Sequence, residues 1–339
     1  MCCGSMKYVP MTNPLRIGIL GAAPIAVAAL IRPARRLPNV EVAAVAARDP
    51  DRARRYAARQ RIPGMHRSYA ALLDDPTIEA VYIALPNSLH AEWTIKALLA
   101  GKHVLCEKPL ANNASEAMQM QRAAAEAGRI LVEGFHYRYH PLASRLKAIL
   151  DSGEIGNIQR IETEFSVPLL QPRSIQFRYE LGGGATMDVG CYAINLLRFL
   201  AGAEPQVVHA QARLIRPQVD RYMSADFRFA DGRTGRMTCA LCSIRLLRAW
   251  ASVYGTAGEL RVIFPFLPHY FHRITVRSGG QTRHEQLEGE TTYFYQLQAF
   301  AHAVRGGASA STDAVDAIAN MRVIDEVYRA AGLRPRGMA

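Results

Sequence analysis

Between Leu15 and Glu133 the chain alternates short apolar runs with helical stretches, and this alternation limits the fold more than any other feature. The runs are Leu15–Leu20, Val40–Ala46, Ala80–Pro86, His103–Cys106 and Arg129–Glu133. Between them, an alanine-rich stretch continues to about Arg36, helices start near Pro50 and Leu89, and another covers about Ala114 to Ala127. Parallel strands need a crossover helix and are buried on both faces, so this pattern predicts a doubly wound parallel sheet. Ligands of such sheets bind outside the carboxyl ends of the strands. Gly21, Arg48, Pro86, Lys108 and Glu133 all fall at those ends, on one edge.

The first turn, Gly21-Ala-Ala-Pro-Ile-Ala26, has the strand–turn–helix setting of a dinucleotide loop. Against G-x-G-x-x-G it keeps Gly21, and puts Ala23 and Ala26 at the second and third glycines. Pro24 suits the first turn of a helix, where a missing N–H costs nothing. The remaining N–H groups can face a phosphate. At the end of the second strand a carboxylate would bind a ribose 2′-hydroxyl and a cation a 2′-phosphate. Arg48 holds that place, with Arg52 one helical turn on. The expected cofactor is NADP rather than NAD; Asp49 would favour NAD if the strand ran one residue longer.

The stretch Gly101-Lys-His-Val-Leu-Cys-Glu-Lys-Pro-Leu110 places Glu107 and Lys108 at a strand end, with Pro109 forcing Lys108 out of the α region and permitting a cis bond. Only five of the 41 basic residues are lysines, which singles this one out. The net charge of +12 comes from scattered residues without a dense basic run, so phosphate-bearing small ligands are expected as partners and nucleic acid is not. The cysteines Cys2, Cys3, Cys106, Cys191, Cys239 and Cys242 show no disulfide framework, which predicts a reducing, cytoplasmic setting. Neither Cys239-x-x-Cys242 nor the pair His136 and His140 has further ligands beside it, so no metal site is expected. Residues 1–14 read as a flexible tail.

After Glu133 the pattern changes. From Ile158 the chain favours extended segments at 158–167, 206–215, 221–229, 234–243, 249–254, 258–263, 272–277 and 282–288, with turn signals at Asp231-Gly232 and Gly279-Gly280. A large, mostly antiparallel sheet follows. One of its faces needs a cover, from helices 291–304 and 312–331 or from a second subunit. A helix interrupts the strands after Gly182-Gly-Gly184 and runs to Leu200; on it Asp188, Tyr192 and Asn195 are expected to share a face. The expected division is a dinucleotide-binding domain over 15–134 and a substrate-binding and oligomerisation domain over 135–339.

The segments GILGAAPIA, ALPNSLH, GKHVLCEKPL, EGFHYRYHP, FRYELGGGATMDVGCYAIN and YFYQLQAFAHAVRGG together resemble the Gfo/Idh/MocA oxidoreductase family from Leu15 to about Arg329. Tyr192, four residues after Asp188, is similar to the glucose-fructose oxidoreductase, xylose dehydrogenase and dihydrodiol dehydrogenase branch. Pro24, and His136 where an apolar residue is common, depart from the family pattern. The resemblance implies an amino-terminal Rossmann domain and an NADP(H)-dependent enzyme that interconverts a secondary or anomeric hydroxyl of a sugar or polyol with a carbonyl. It makes Lys108, Tyr192 and Asp188 the catalytic group, and Arg178, Asp188 and Tyr192 the substrate contacts. It lines the cofactor with Gly21, Ala22, Ala23, Ile25, Arg48, Leu85, Asn87, His90, Glu107 and Lys108. An ammonium near Tyr192 is expected to draw its phenol toward working pH. A homodimer or homotetramer through the carboxy-terminal sheet is the expected assembly. Two other functions remain open on the residues: a non-redox sugar- or dinucleotide-sensing regulator, and a glycoside-processing enzyme that keeps NAD tightly bound.

Overall fold

A computed structural model describes residues 13–338 apart from Leu170, Pro172, Arg173, Ile244 and Arg245. Of the expected amino-terminal tail, residues 1–12, with Cys2 and Cys3, lie outside this set.

The first half is a six-stranded parallel sheet in the order β3-β2-β1-β4-β5-β6. Its strands are β1 (Leu15–Leu20), β2 (Val40–Ala46), β3 (Gly64–His66), β4 (Ala80–Ile83), β5 (His103–Cys106) and β6 (Leu131–Glu133). β3 was not anticipated: three residues at a sheet edge, all half-buried, carry no apolar run. The last expected strand loses Arg129 and Ile130, because Ile130 gives its carbonyl to Val104 and its N–H to the His103 ring before the ladder begins. A π-helical turn over Val27–Ile31 and α1 (Arg32–Ala34) follow the glycine loop. Then come α2 (Pro50–Gln60), α3 (Tyr69–Leu73), α4 (His90–Leu99) and α5 (Ala114–Ala127). Asp49 and Asn113 cap α2 and α5 by accepting the N–H groups of Asp51 and Glu116.

The second half begins with α6 (Pro141–Asp151) and β7 (Ile158–Ser166), followed by a π turn over Thr186–Gly190 that leads into α7 (Cys191–Ala201). Seven strands follow: β8 (Gln206–Arg216), β9 (Val219–Arg228), β10 (Thr234–Ala240), β11 (Arg248–Gly255), β12 (Gly258–Ile263), β13 (Arg273–Ser278) and β14 (Gln281–Glu285). With β7 they form one sheet in the order β14-β13-β12-β11-β7-β10-β9-β8. Every neighbouring pair is antiparallel except β7 and β10 at the centre.

One face of this sheet packs under α7: Thr163 of β7 donates its hydroxyl to Ala193, and Ile161, Met237, Ala251 and Val253 are buried there. The other face is an ionic mesh. Arg236 pairs with Asp226, Arg248 with Glu164 and Arg277 with Glu259, while Trp250 donates to Glu164. The two closing helices do not cover it, contrary to one expectation. α8 (Thr292–Val304) packs on the π turn and α1 of the first half, and Leu297, Phe300 and Ala301 join that core. α9 (Ala314–Ala330) lies against α5, α7 and β8. Paired charges need no apolar cover, and both helices find theirs at the seam between the halves.

Candidate active site

The strand ends of the parallel sheet and the π turn before α7 face each other across a cleft of about 960 Å³. One end is built by the glycine loop. Gly21 has φ +106°, and a Cβ on it would stand 2.5 Å from the Ala84 carbonyl oxygen, so only glycine lets the loop lie on the end of β4. Arg52 Nη2 binds the Ala22 carbonyl at 2.9 Å and the Tyr56 hydroxyl binds that of Ala23 at 3.0 Å. These bonds tie the loop carbonyls to α2. Gly21, Ala22, Ala23, Pro24 and Ile25 line the cleft, beside Arg48, Asp49, Arg52 and Tyr69. Asp49 caps α2 through its carboxylate, whereas Arg48 is exposed on the wall of the cleft. The alanine-for-glycine loop, with the guanidinium groups of Arg48 and Arg52 beside it, has a shape and charge that fit a dinucleotide bearing an extra phosphate.

At the other end Lys108, Asp188 and Tyr192 meet. The Lys108–Pro109 peptide bond is cis. Lys108 Nζ donates to the Asp188 carbonyl at 2.8 Å and stands 3.5 Å from its carboxylate Oδ1. It lies 5.0 Å from the centre of the Tyr192 ring. Burial alone would push the ammonium down, but Asp188, Cys191 and Glu107 carry it above its ordinary value, so it stays charged. Asp188 sits in the π turn, a local widening often found at functional positions.

Tyr192 departs from expectation. Burial, followed by its neighbours Tyr293 and Glu107, lifts its phenol well above the ordinary tyrosine value. Lys108, 5.0 Å from the centre of the ring, bonds Asp188 and not the phenol hydroxyl. The hydroxyl instead pairs with Nε2 of His136 at 2.9 Å, and Nδ1 of His136 with the Thr292 hydroxyl at 2.8 Å. Burial, with the charge of Lys108 next, pushes the imidazole down to about 3, so it is neutral. Tyr293, at the start of α8, lies with its ring 4.1 Å from that of His136 and lines the cleft. From the sequence His136 is an unusual residue and half of a discounted metal pair, and Tyr293 is not singled out. The oddity of a histidine there was the available signal; Tyr293 gave none.

Other expected residues divide in two. Leu85, Glu107 and Arg178 line the cleft. The buried Glu107 accepts from Tyr82 at 2.5 Å, and burial raises its carboxyl although Tyr82 and Lys108 oppose this. Asn87 and His90 are not among the residues lining the cleft and bond behind its wall. The Asn87 amide donates to Gly182 at 3.1 Å, joining the two halves, and the fully buried His90 ring bridges the carbonyls of Pro109 and Leu85 at 2.9 Å each. Asn195 does not line the cleft with Asp188 and Tyr192. It accepts from the Tyr137 hydroxyl at 2.6 Å and donates to Asp316.

A glycine loop at the strand ends, facing an ammonium and a phenol across the seam, suits a dinucleotide-dependent oxidoreductase. The sequence comparisons give the family. Residues 15–135 match the oxidoreductase family with an NAD-binding Rossmann fold, and residues 143–261 match the GFO/IDH/MocA carboxy-terminal domain. The chain belongs to the Gfo/Idh/MocA oxidoreductase family. It is 35% identical to the D-xylose 1-dehydrogenase (NADP(+)) 2 of Haloferax volcanii, over 94% of this chain and 97% of the relative. It is 32% identical to the dTDP-3,4-didehydro-2,6-dideoxy-alpha-D-glucose 3-reductase of Actinomadura kijaniata, over 95% and 97%. A 3-ketoreductase from the same organism, solved in complex with NADP and TDP-benzene, superimposes with a TM-score of 0.87 at 30% identity, covering 95% of this chain and 98% of that one.

Proposed function

We propose that the protein is an NADP(H)-dependent oxidoreductase that interconverts a secondary or anomeric hydroxyl of a sugar, polyol or related small molecule with a carbonyl. The observation that carries this reading is the meeting of Lys108, Asp188 and Tyr192 on the wall of a cleft whose far end is the Gly21 loop and Arg48. Relatives named for NADP and for sugars support the same reading.

In this reading Gly21, Ala22, Ala23 and Ile25 hold the pyrophosphate, Arg48 and Arg52 the 2′-phosphate, and Leu85 and Glu107 flank the nicotinamide riboside. When bound, the nicotinamide carries the hydride chemistry. The chain supplies orientation and the proton. Tyr192, protonated at neutral pH, gives its proton to the carbonyl oxygen in reduction and takes it back in oxidation. Lys108, fixed by Asp188, places a positive charge where negative charge grows on that oxygen. Asp188 and Arg178 orient the substrate.

Four free cysteines among the described residues agree with a cytoplasmic protein, and no helix among those residues is long and apolar enough to cross a membrane. The sheet face that no helix covers is the proposed surface for a homodimer or homotetramer. The test is a fluorescence titration of NADPH and NADH followed by a sugar and polyol panel read at the nicotinamide absorbance band. Preferential NADPH binding, with turnover reduced at least ~100-fold by Lys108→Ala and by Tyr192→Phe, is the expected result. Tight binding of either nucleotide with no redox change on any substrate would overturn the reading in favour of a sensor.

A further inference from the structure

We infer that His136 is a positioning residue that donates its Nε2–H to the phenol oxygen of Tyr192 and so keeps the Tyr192 proton free for the substrate. The inference rests on the oxidoreductase reading for its consequence, but not for its geometry.

Protons must balance along the Thr292–His136–Tyr192 chain. A neutral imidazole has one N–H and one lone-pair nitrogen, so one of its two bonds must be donated to it. Thr292 is fully buried, and His136 Nδ1 is the only hydrogen-bond partner of its hydroxyl among the described residues. If Nδ1 carried the proton, the Thr292 O–H would be buried with no acceptor, which is unfavourable. Thr292 therefore donates to Nδ1, and the imidazole proton resides on Nε2. That nitrogen is 2.9 Å from the Tyr192 oxygen, which accepts. The phenol has no other partner among the described residues, so its own O–H is left to point elsewhere, and its ring borders the cleft.

The arrangement has two effects on one proton transfer. Before it, the Tyr192 O–H is not consumed by the protein. During it, the Tyr192 O–H bond breaks, the bond from that proton to the substrate oxygen forms, and the phenolate left behind already receives a hydrogen bond from Nε2–H. The histidine keeps its proton throughout. This role falls to His136 rather than Lys108, because the phenol oxygen pairs with His136 while Lys108 Nζ pairs with Asp188. The Tyr293 ring packs against the imidazole at 4.1 Å and a tilt of 41°.

The test uses the full chain in two arms. Long-range ¹⁵N spectra of histidine-labelled protein, with the His136 signals assigned through His136→Gln, report which nitrogen is protonated. The expected result is Nε2–H, and an Nδ1–H or doubly protonated ring overturns the inference whether or not any sugar is turned over. In kinetics, His136→Met removes the donor and should lower kcat about 10- to 100-fold with KM within about two-fold. His136→Gln, which retains an N–H at a similar reach, should recover most of it. A methionine variant with unchanged kcat, or a glutamine variant as slow as methionine, refutes the role. A wild type with Nε2–H that reduces no substrate upholds the geometry and overturns the oxidoreductase reading alone.

Discussion

Replacing Asp220 by asparagine should cost more stability than any surface change in this chain. Its carboxylate is wholly buried, as is Arg336, three residues from the carboxy terminus. One oxygen accepts the Thr186 N–H and hydroxyl at 2.7 Å each. The other accepts the Tyr328 hydroxyl at 3.0 Å and Arg336 Nη2 at 2.9 Å. Arg336 Nε also binds the Gly183 carbonyl at 2.6 Å. Asparagine keeps the shape but removes the charge, leaving a guanidinium in the interior with no counter-ion, at a cost of about 3–5 kcal/mol. Arg336→Met leaves a carboxylate that still has three donors, so it should cost less, about 1–3 kcal/mol. The double variant loses both charges together and should fall at least ~2 kcal/mol short of the sum. The assay is urea unfolding followed by far-ultraviolet circular dichroism, with a double-mutant cycle. A loss below about 1 kcal/mol for Asp220→Asn, or additive losses, would refute the argument that this ion pair is a closed, dry unit.

Gly184 touches the same unit: at φ +133° a Cβ would stand 2.2 Å from Asp220 Oδ1, so Gly184→Ala should lower the thermal midpoint and destabilise the Asp188 turn, seen as a fall in kcat. Arg48→Ala should weaken NADPH binding about 10- to 100-fold and leave NADH nearly unchanged by fluorescence titration; equal losses for both would remove the 2′-phosphate role. Burial, then the nearby Asp316, pushes the carboxyl of Glu133 up to about 8. Between the ordinary glutamate range and about pH 8 the folded chain therefore holds a proton that the unfolded chain has released, and stability falls as pH rises. Glu133→Gln keeps an acceptor for the Leu110 N–H. It should stabilise the protein by about 2–4 kcal/mol at pH 8.5, with a gain that shrinks toward pH 5; a pH-independent difference in urea midpoint would refute this.

How much of this was legible from residues follows the range of the interactions. The strands of both sheets were readable because apolar runs and turn residues act locally, and β3 escaped because three half-buried residues make no run. Lys108 and Tyr192 were readable as a pair only through the pattern of the whole chain, since 84 positions separate them. What failed was the direction each polar group faces. Asn87 and His90 sit beside the right strand end yet bond backbone behind the cleft, and nothing in the sequence marks which way a side chain turns there. The ionisation of Tyr192 failed for a related reason: proximity to an ammonium predicts a lowered phenol, but the sign depends on whether burial or charge is larger, and here burial is. Arg336 is the extreme case. In Leu-Arg-Pro-Arg-Gly it reads as a solvated tail, and only the assembled fold brings it under the glycines that carry Asp188. Local chemistry thus placed the residues at the site, and long-range closure decided what state they hold there, which is why the experiments that matter most probe protonation and ion pairing rather than the fold.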